Sequence, residues 1–128
     1  MGYRSEVIAV FYCNDPKDYP AMKLFIDENL VDGEVEWVRE HVYEEVSGHR
    51  KYIRFQVDDV KWYESYSDVQ AFNKFVEAFK SLADGEGSTL TWAYEFVRIG
   101  EDLGDIEAHE SDGADNVLSV SRVVDINI

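Results

Sequence analysis

At 128 residues the chain has the size of one domain, which argues against separate cofactor and substrate lobes. Apolar residues make up 45% and aromatic ones 14%, ample for a packed core and inconsistent with a disordered chain. Acids outnumber bases 27 to 12, and the resulting net charge of −15 repels phosphate, which disfavours direct nucleic-acid binding and anionic membranes.

The first predicted element is a strand over Val7–Tyr12, a β-branched and aromatic run suited to the centre of a sheet. Asp15-Pro16 then signals a helix start, with Asp15 as the cap and Pro16 in the first turn. Tyr19, Met22, Phe25, Ile26 and Leu30 follow at helical spacing, and Asp32-Gly33 closes the helix. Residues 34–46 read as a short helical or irregular piece followed by a strand, because Ser47-Gly48-His49 is a turn signal. Beyond that turn, Ile53, Phe55 and Val57 alternate with Tyr52, Arg54 and Gln56, the pattern of a half-buried strand. Ser67 and Gln70 have the spacing of a capping box, and Val69, Phe72, Phe75, Val76, Phe79 and Leu82 form the apolar stripe of the helix that follows. Gly85-Glu86-Gly87 ends it. Leu90, Trp92, Tyr94 and Phe96 alternate with Thr91, Ala93 and Glu95 in another strand. Turns at Gly100–Gly104 and Asp112-Gly113 then separate a short strand, Ile106–Glu110, from a last one over Val117–Val124.

This order predicts a single α+β domain spanning residues 1–128. The expected architecture is a two-layer sandwich: a mainly antiparallel sheet, two helices on one face, a split βαββαβ core and a C-terminal hairpin. Phe72, Phe75 and Phe79 are expected at its centre. Cys13 is the sole cysteine, which excludes an internal disulfide and a thiolate-rich zinc site, and it reads as a small core residue. The first twelve residues do not read as a signal peptide, and no run approaches the roughly 18–20 apolar residues of a membrane span. A cytoplasmic setting is therefore expected.

Three blocks carry a resemblance: Gly2-Tyr3-Arg4-Ser5, Lys61-Trp62-Tyr63-Glu64-Ser65-Tyr66-Ser67-Asp68-Val69, and Phe96-Val97-Arg98-Ile99-Gly100-Glu101-Asp102. Across most of its length the chain resembles a family of small bacteriophage-encoded proteins that has no assigned activity. The resemblance implies a viral or prophage origin and a host-cytoplasmic setting, and it transfers no catalytic residue. Read from the residues themselves, Trp62, Tyr63 and Tyr66 either close one end of the core or form an exposed aromatic contact patch. Arg98 is expected to pair locally with Glu101 and Asp102.

Between positions 101 and 115 stand Glu101, Asp102, Asp105, Glu107, Glu110, Asp112 and Asp115, with no lysine or arginine. They can be read as a charged hairpin guarding a sheet edge, as a surface imitating nucleic-acid phosphates, or as a calcium or magnesium site lacking the EF-hand spacing. Glu34, Glu36, Glu40, Glu44 and Glu45 form a second acidic group around Arg39. His41, His49 and His109 are not at ligand spacing, and Gly100-x-x-x-Gly104 lacks the Gly-Lys-Ser/Thr continuation of a phosphate loop. No hydrolase motif is present. A small basic island, Arg50, Lys51, Arg54 and Lys61, is expected to pair with acids of this chain or of a second copy.

The leading expectation is a non-enzymatic protein without metal or cofactor. It would bind a host protein with a basic surface, such as a nucleic-acid-handling or defence enzyme, through Glu101, Asp102, Asp105, Glu107, Glu110 and Asp112. The alternatives are a structural or self-associating module, including a homodimer, whose acidity serves solubility, and a small metal-assisted enzyme.

Overall fold

Strand β1 (Ser5–Cys13) forms over the apolar run and takes the central place in a five-stranded sheet. The computed structural model describes residues 3–31, 33–48, 50–85, 87–102, 104–115, 117–120 and 124–126. Asp15 caps a 3-10 turn over Pro16–Asp18, accepting a hydrogen bond from the Lys17 amide, and helix α1 (Tyr19–Asn29) continues from it. Tyr19, Met22, Ile26 and the following Leu30 are buried, while Phe25 is half-buried. Asp32 and His49 lie outside the described residues. The ambiguous segment divides as expected into a 3-10 turn (Gly33–Val35), a one-turn helix α2 (Glu36–Arg39) and strand β2 (Val42–Ser47). Gly48, at φ +63°, turns the chain into β3 (Arg50–Val60).

The sheet order is β2-β3-β1 and then β4 (Trp92–Gly100) and β5 (Ile106–Glu110), with every neighbouring pair antiparallel. Because β3 separates β1 from β2, the first four strands have the split βαβ arrangement, and the class is α+β. Helix α3 (Ser67–Ala83) supplies the second long helix. On the face packed by the helices, Phe11 meets Phe75 and Phe79 at ring-centroid distances of 5.7 and 5.1 Å, and Phe55 meets Phe72 at 4.7 Å. Phe72 and Phe79 have no exposed surface, so the expected phenylalanine centre is in place.

Several expectations are corrected. The capping box does not form: Tyr66, in extended conformation, precedes the helix without a side-chain cap, and Gln70 Nε2 donates instead to the Glu64 carbonyl at 3.2 Å. Ser67 is already inside the first turn, too late to act as the cap. Leu82 is exposed, because the stripe passes from Phe79 to Ala83, four residues on. Glu86 lies outside the described residues. Of the strand expected over Val117–Val124, Leu118–Val120 forms β6 and Val124 opens β7 (Val124–Ile126), which pairs antiparallel with β6, while residues 121–123 lie outside the described residues. The short strand Ile106–Glu110 joins the main sheet beside β4 rather than a terminal hairpin.

The fold also departs from two simple layers. Val10, Tyr12, Tyr52, Ala93 and Val117 form a second buried cluster, against which Leu118 and Ile126 pack. Alternation along β1 and β4 sends these side chains to the face opposite the helices, so β3 is buried on both faces at Tyr52 and Ile53. A register shift between β1 and β3 near Ser5 coincides with Asp59, a non-glycine residue at φ +54°. The Asp59 carbonyl accepts from the Arg4 guanidinium at 3.0 Å, tying down the segment that carries Tyr3 and Arg4.

Candidate functional site

Strand β5 is an edge of the sheet, and the acids expected to bind a partner lie on it or in its flanking turns. They fall into two groups. Glu101, Asp102, Glu110 and Asp112 are exposed, as is Asp115 beyond them. Glu101 accepts from the Arg4 amide at 2.7 Å, the Asp102 amide donates to the Tyr3 hydroxyl at 2.9 Å, and the Asp112 amide donates to Asp84. None of these four carboxylates has an ion-pair partner among the described residues.

Asp105 and Glu107 belong to the second group, half-buried and engaged by Arg98. The cross-strand register places Arg98 opposite Glu107. Arg98 Nε donates to Glu107 at 2.9 Å, while its two terminal nitrogens donate to the two Asp105 oxygens at 2.9 and 3.2 Å. Ser5 Oγ takes a further bond at 3.1 Å. The expected local pairing with Glu101 and Asp102 is thus replaced by a cross-strand fork, because adjacent strands bring Glu107 closer than the turn brings its own acids. Arg98 holds the Asp105 carboxyl below its usual range, with the Tyr3 hydroxyl assisting. Burial works against the charge on Glu107, but hydrogen bonds from His109 and Arg98 outweigh it and lower its value too. His109 Nε2 lies 2.6 Å from the free oxygen of Glu107.

Gly100 makes this network sterically feasible. A Cβ there would lie 2.0 Å from Asp105 and 2.3 Å from the Tyr3 hydroxyl, which are themselves hydrogen-bonded at 2.5 Å. The Tyr63 hydroxyl accepts from the Tyr3 amide at 2.7 Å, so part of the Trp-Tyr block serves this same corner. Trp62 packs against Phe72, Phe55 and Phe96 and closes the end of the core. Tyr66 is exposed and meets Tyr63 edge-on at 5.1 Å. The three residues therefore do not form one exposed patch.

These groups wall a cleft of about 590 Å3 between α3 and the β4–β5 margin, within the ~300–1,000 Å3 typical of ligand sites. Trp62 and Phe96 contribute ring surface, α3 contributes Asn73, Glu77 and Lys80, and the margin contributes Arg98, Glu107 and His109. Tyr94 also lines it. Its side chain is 3% exposed, and its hydroxyl has no hydrogen-bond partner among the described residues. Burial, together with the nearby Glu107 charge, pushes its phenol well above the usual value, so it stays a neutral hydroxyl. The described lining offers charge, hydrogen bonds and aromatic surface, and no serine, threonine or cysteine.

Glu95, which the alternation assigned to a polar face, is buried at 4% exposure. Its carboxylate accepts from the Tyr12 hydroxyl at 2.5 Å, the Val117 amide at 2.9 Å and the Leu118 amide at 3.0 Å, clamping the C-terminal ribbon to the sheet. The Tyr12 hydroxyl in turn accepts from the Asp115 amide at 2.7 Å. No local signal marks Glu95, since its partners lie on β1 and beyond the second turn.

Elsewhere, Cys13 is buried beside Met22, and burial raises its thiol to about 12, which removes the thiolate a nucleophile needs. Arg54 pairs with Glu45 at 2.6 Å, while Arg50 and Lys51 lie over the rings of Tyr12 and Tyr19. Of the expected pairing of the basic island with acids, only Arg54 forms an ion pair among the described residues, and Lys61 forms none. His41 Nδ1 lies 2.9 Å from the Trp37 carbonyl. Among the described residues, no group of three or more His, Cys, Asp or Glu side chains could hold a metal, and no helix is long and apolar enough to cross a membrane. In comparison with known proteins, no family model, no curated protein and no solved structure matches the chain.

Proposed function

We propose that the chain is a non-enzymatic binding protein, a small phage accessory factor of the host cytoplasm, that engages a basic surface of a host protein through the acidic margin of β5. One observation carries the reading. Arg98 is the sole cation between positions 92 and 115, and its donors are taken by Asp105, Glu107 and Ser5. Glu101, Asp102, Glu110 and Asp112 are therefore left exposed around a strand edge without an ion-pair partner among the described residues. Such carboxylates steer a basic groove toward the protein and occupy the positions that nucleic-acid phosphates would take there. A nucleic-acid-handling or defence enzyme is a partner of this chemistry.

The test is capture of partners from host lysate by the immobilised chain, at low and high salt and with duplex DNA as competitor. Binding of a basic protein that both salt and DNA displace supports the proposal. A partner retained at high salt and in the presence of DNA overturns it. A second reading, self-association, draws on β2 at the opposite sheet edge, where Tyr43 and Val46 are exposed. Sedimentation that stays monomeric as concentration rises would remove that reading.

A further inference from the structure

We propose that the cleft between α3 and the β4–β5 margin receives an arginine side chain of the basic partner, recognised by Tyr94 and Glu77. This rests on the reading that the partner is basic, and it names where one of its cations is held.

The charges of the cleft favour a cation. Arg98 is already paired inside the wall with Asp105 and Glu107. Among the remaining lining charges, Glu64 and Glu77 have no ion-pair partner in the described residues, and Lys80 opposes only one of them. Tyr94 adds an independent observation. It is 97% buried by its 3% exposure, lines the cleft, and carries a hydroxyl that nothing among the described residues satisfies. The oxygen is not among the fully buried unpartnered atoms, so what exposure the residue keeps opens its hydroxyl onto the cleft, where it is free to accept from an incoming N–H. Glu107, paired to Arg98 and His109, stands near this phenol and disfavours an anionic ligand there.

The shape of the wall selects among cations. Half-buried Trp62 offers ring surface to a planar, weakly hydrated guanidinium, which stacks on aromatic faces and presents five donors in a fixed plane. In the proposed pose one edge of that plane faces the Glu77 carboxylate and another N–H the Tyr94 oxygen, both of which line the cleft. A lysine ammonium, compact and strongly hydrated, gains less from the ring.

The experiment titrates the full chain with N-acetyl-arginine N-methylamide, following backbone amides and the Trp62 indole by NMR. The expected result is saturable shifts at Trp62, Glu77, Tyr94 and His109. Tyr94→Phe, which keeps the packed ring, and Glu77→Gln, on an exposed helix position, should each weaken the probe about tenfold. Lys80→Gln should tighten it. The lysine analogue should bind more weakly, and the uncharged citrulline analogue should produce no saturable shifts. Shifts scattered over Glu101, Asp102, Glu110 and Asp112, or an unchanged affinity in Tyr94→Phe, would overturn the proposal.

Protamine, an arginine-rich protein, separates this failure from that of the wider reading. If it binds the parent but the arginine analogue does not, the cleft proposal falls and the acidic-margin reading stands. If the analogue binds with the stated mutational pattern and protamine does not, the cleft proposal stands and the acidic-margin reading falls.

Discussion

Two faces of one sheet handle charge in opposite ways, and strand β4 carries both. On the ribbon face Glu95 is almost fully buried, and its carboxylate is held by neutral donors: one phenol and two backbone amides. On the helix face Arg98 sits where the aromatic packing ends, and it is held by two carboxylates that remain about one-third exposed. Burying a lone charge is unfavourable unless hydrogen bonds replace its water, so Glu95 is tolerable only while Tyr12 and the ribbon stay in place. The Arg98 fork lies closer to water and is weaker, more responsive to salt and more adjustable. A clamp and a cleft thus arise three residues apart on the same strand.

The comparison can be calibrated against the apolar centre of the helix face. Phe72→Ala removes a ring with no exposed surface that meets Phe55, Trp62 and Phe96, and it should cost roughly 3–5 kcal/mol. Denaturant melts check this, and a midpoint equal to the parent's would mean the core is elsewhere. Glu95→Gln should come next. The amide keeps one acceptor where three donors converge, leaving at least one buried donor without a partner, at about 1–3 kcal/mol. Hydrogen exchange should accelerate first at the Val117 and Leu118 amides, ahead of the amides of β1. Uniform protection across both would show that Glu95 does not hold the ribbon.

A smaller, pH-dependent effect is expected from the fork. Asp105 and Glu107 have lowered values in the folded chain, so in acid the unfolded state binds more protons than the native state. Their stabilisation is complete above the ordinary carboxylate values near ~4 and is lost as pH falls through the lowered ones. Arg98→Gln should therefore flatten the acid limb of a plot of Tm against pH and make Tm less sensitive to salt. An acid limb identical to the parent's would show that the fork contributes nothing. Gly100→Ala should act on the same network, since its methyl would displace Asp105 and Tyr3.

Much of the fold was legible because long apolar runs and helical stripes reflect burial directly: β1, β3 and α3 stand where Val7–Tyr12, Ile53–Val57 and Phe72–Phe79 put them. What stayed hidden depends on contacts between distant segments. Alternation made Glu95 an outward residue, and only the return of Val117 and Leu118 over that face buries it. Arg98 has acids three and four residues ahead in sequence, but strand pairing gives it Glu107, nine residues away. The acids were visible as a cluster, whereas their division into paired and free members required the register. The cleft draws on segments from Tyr3 to His109, and the Tyr94 hydroxyl that lines it has no signature in composition or spacing.

That division of the acids supports the most direct test. Two variants should be compared for affinity to the captured partner and for Tm: one with Glu101, Asp102, Glu110 and Asp112 changed to Gln and Asn, the other with Asp105→Asn and Glu107→Gln. The first should keep the parent's Tm and lose most partner affinity, because exposed carboxylates contribute little to the fold. The second should lose Tm, by leaving Arg98 without its acids, and retain salt-sensitive binding. A first variant that binds like the parent, with unchanged salt dependence, would contradict the account.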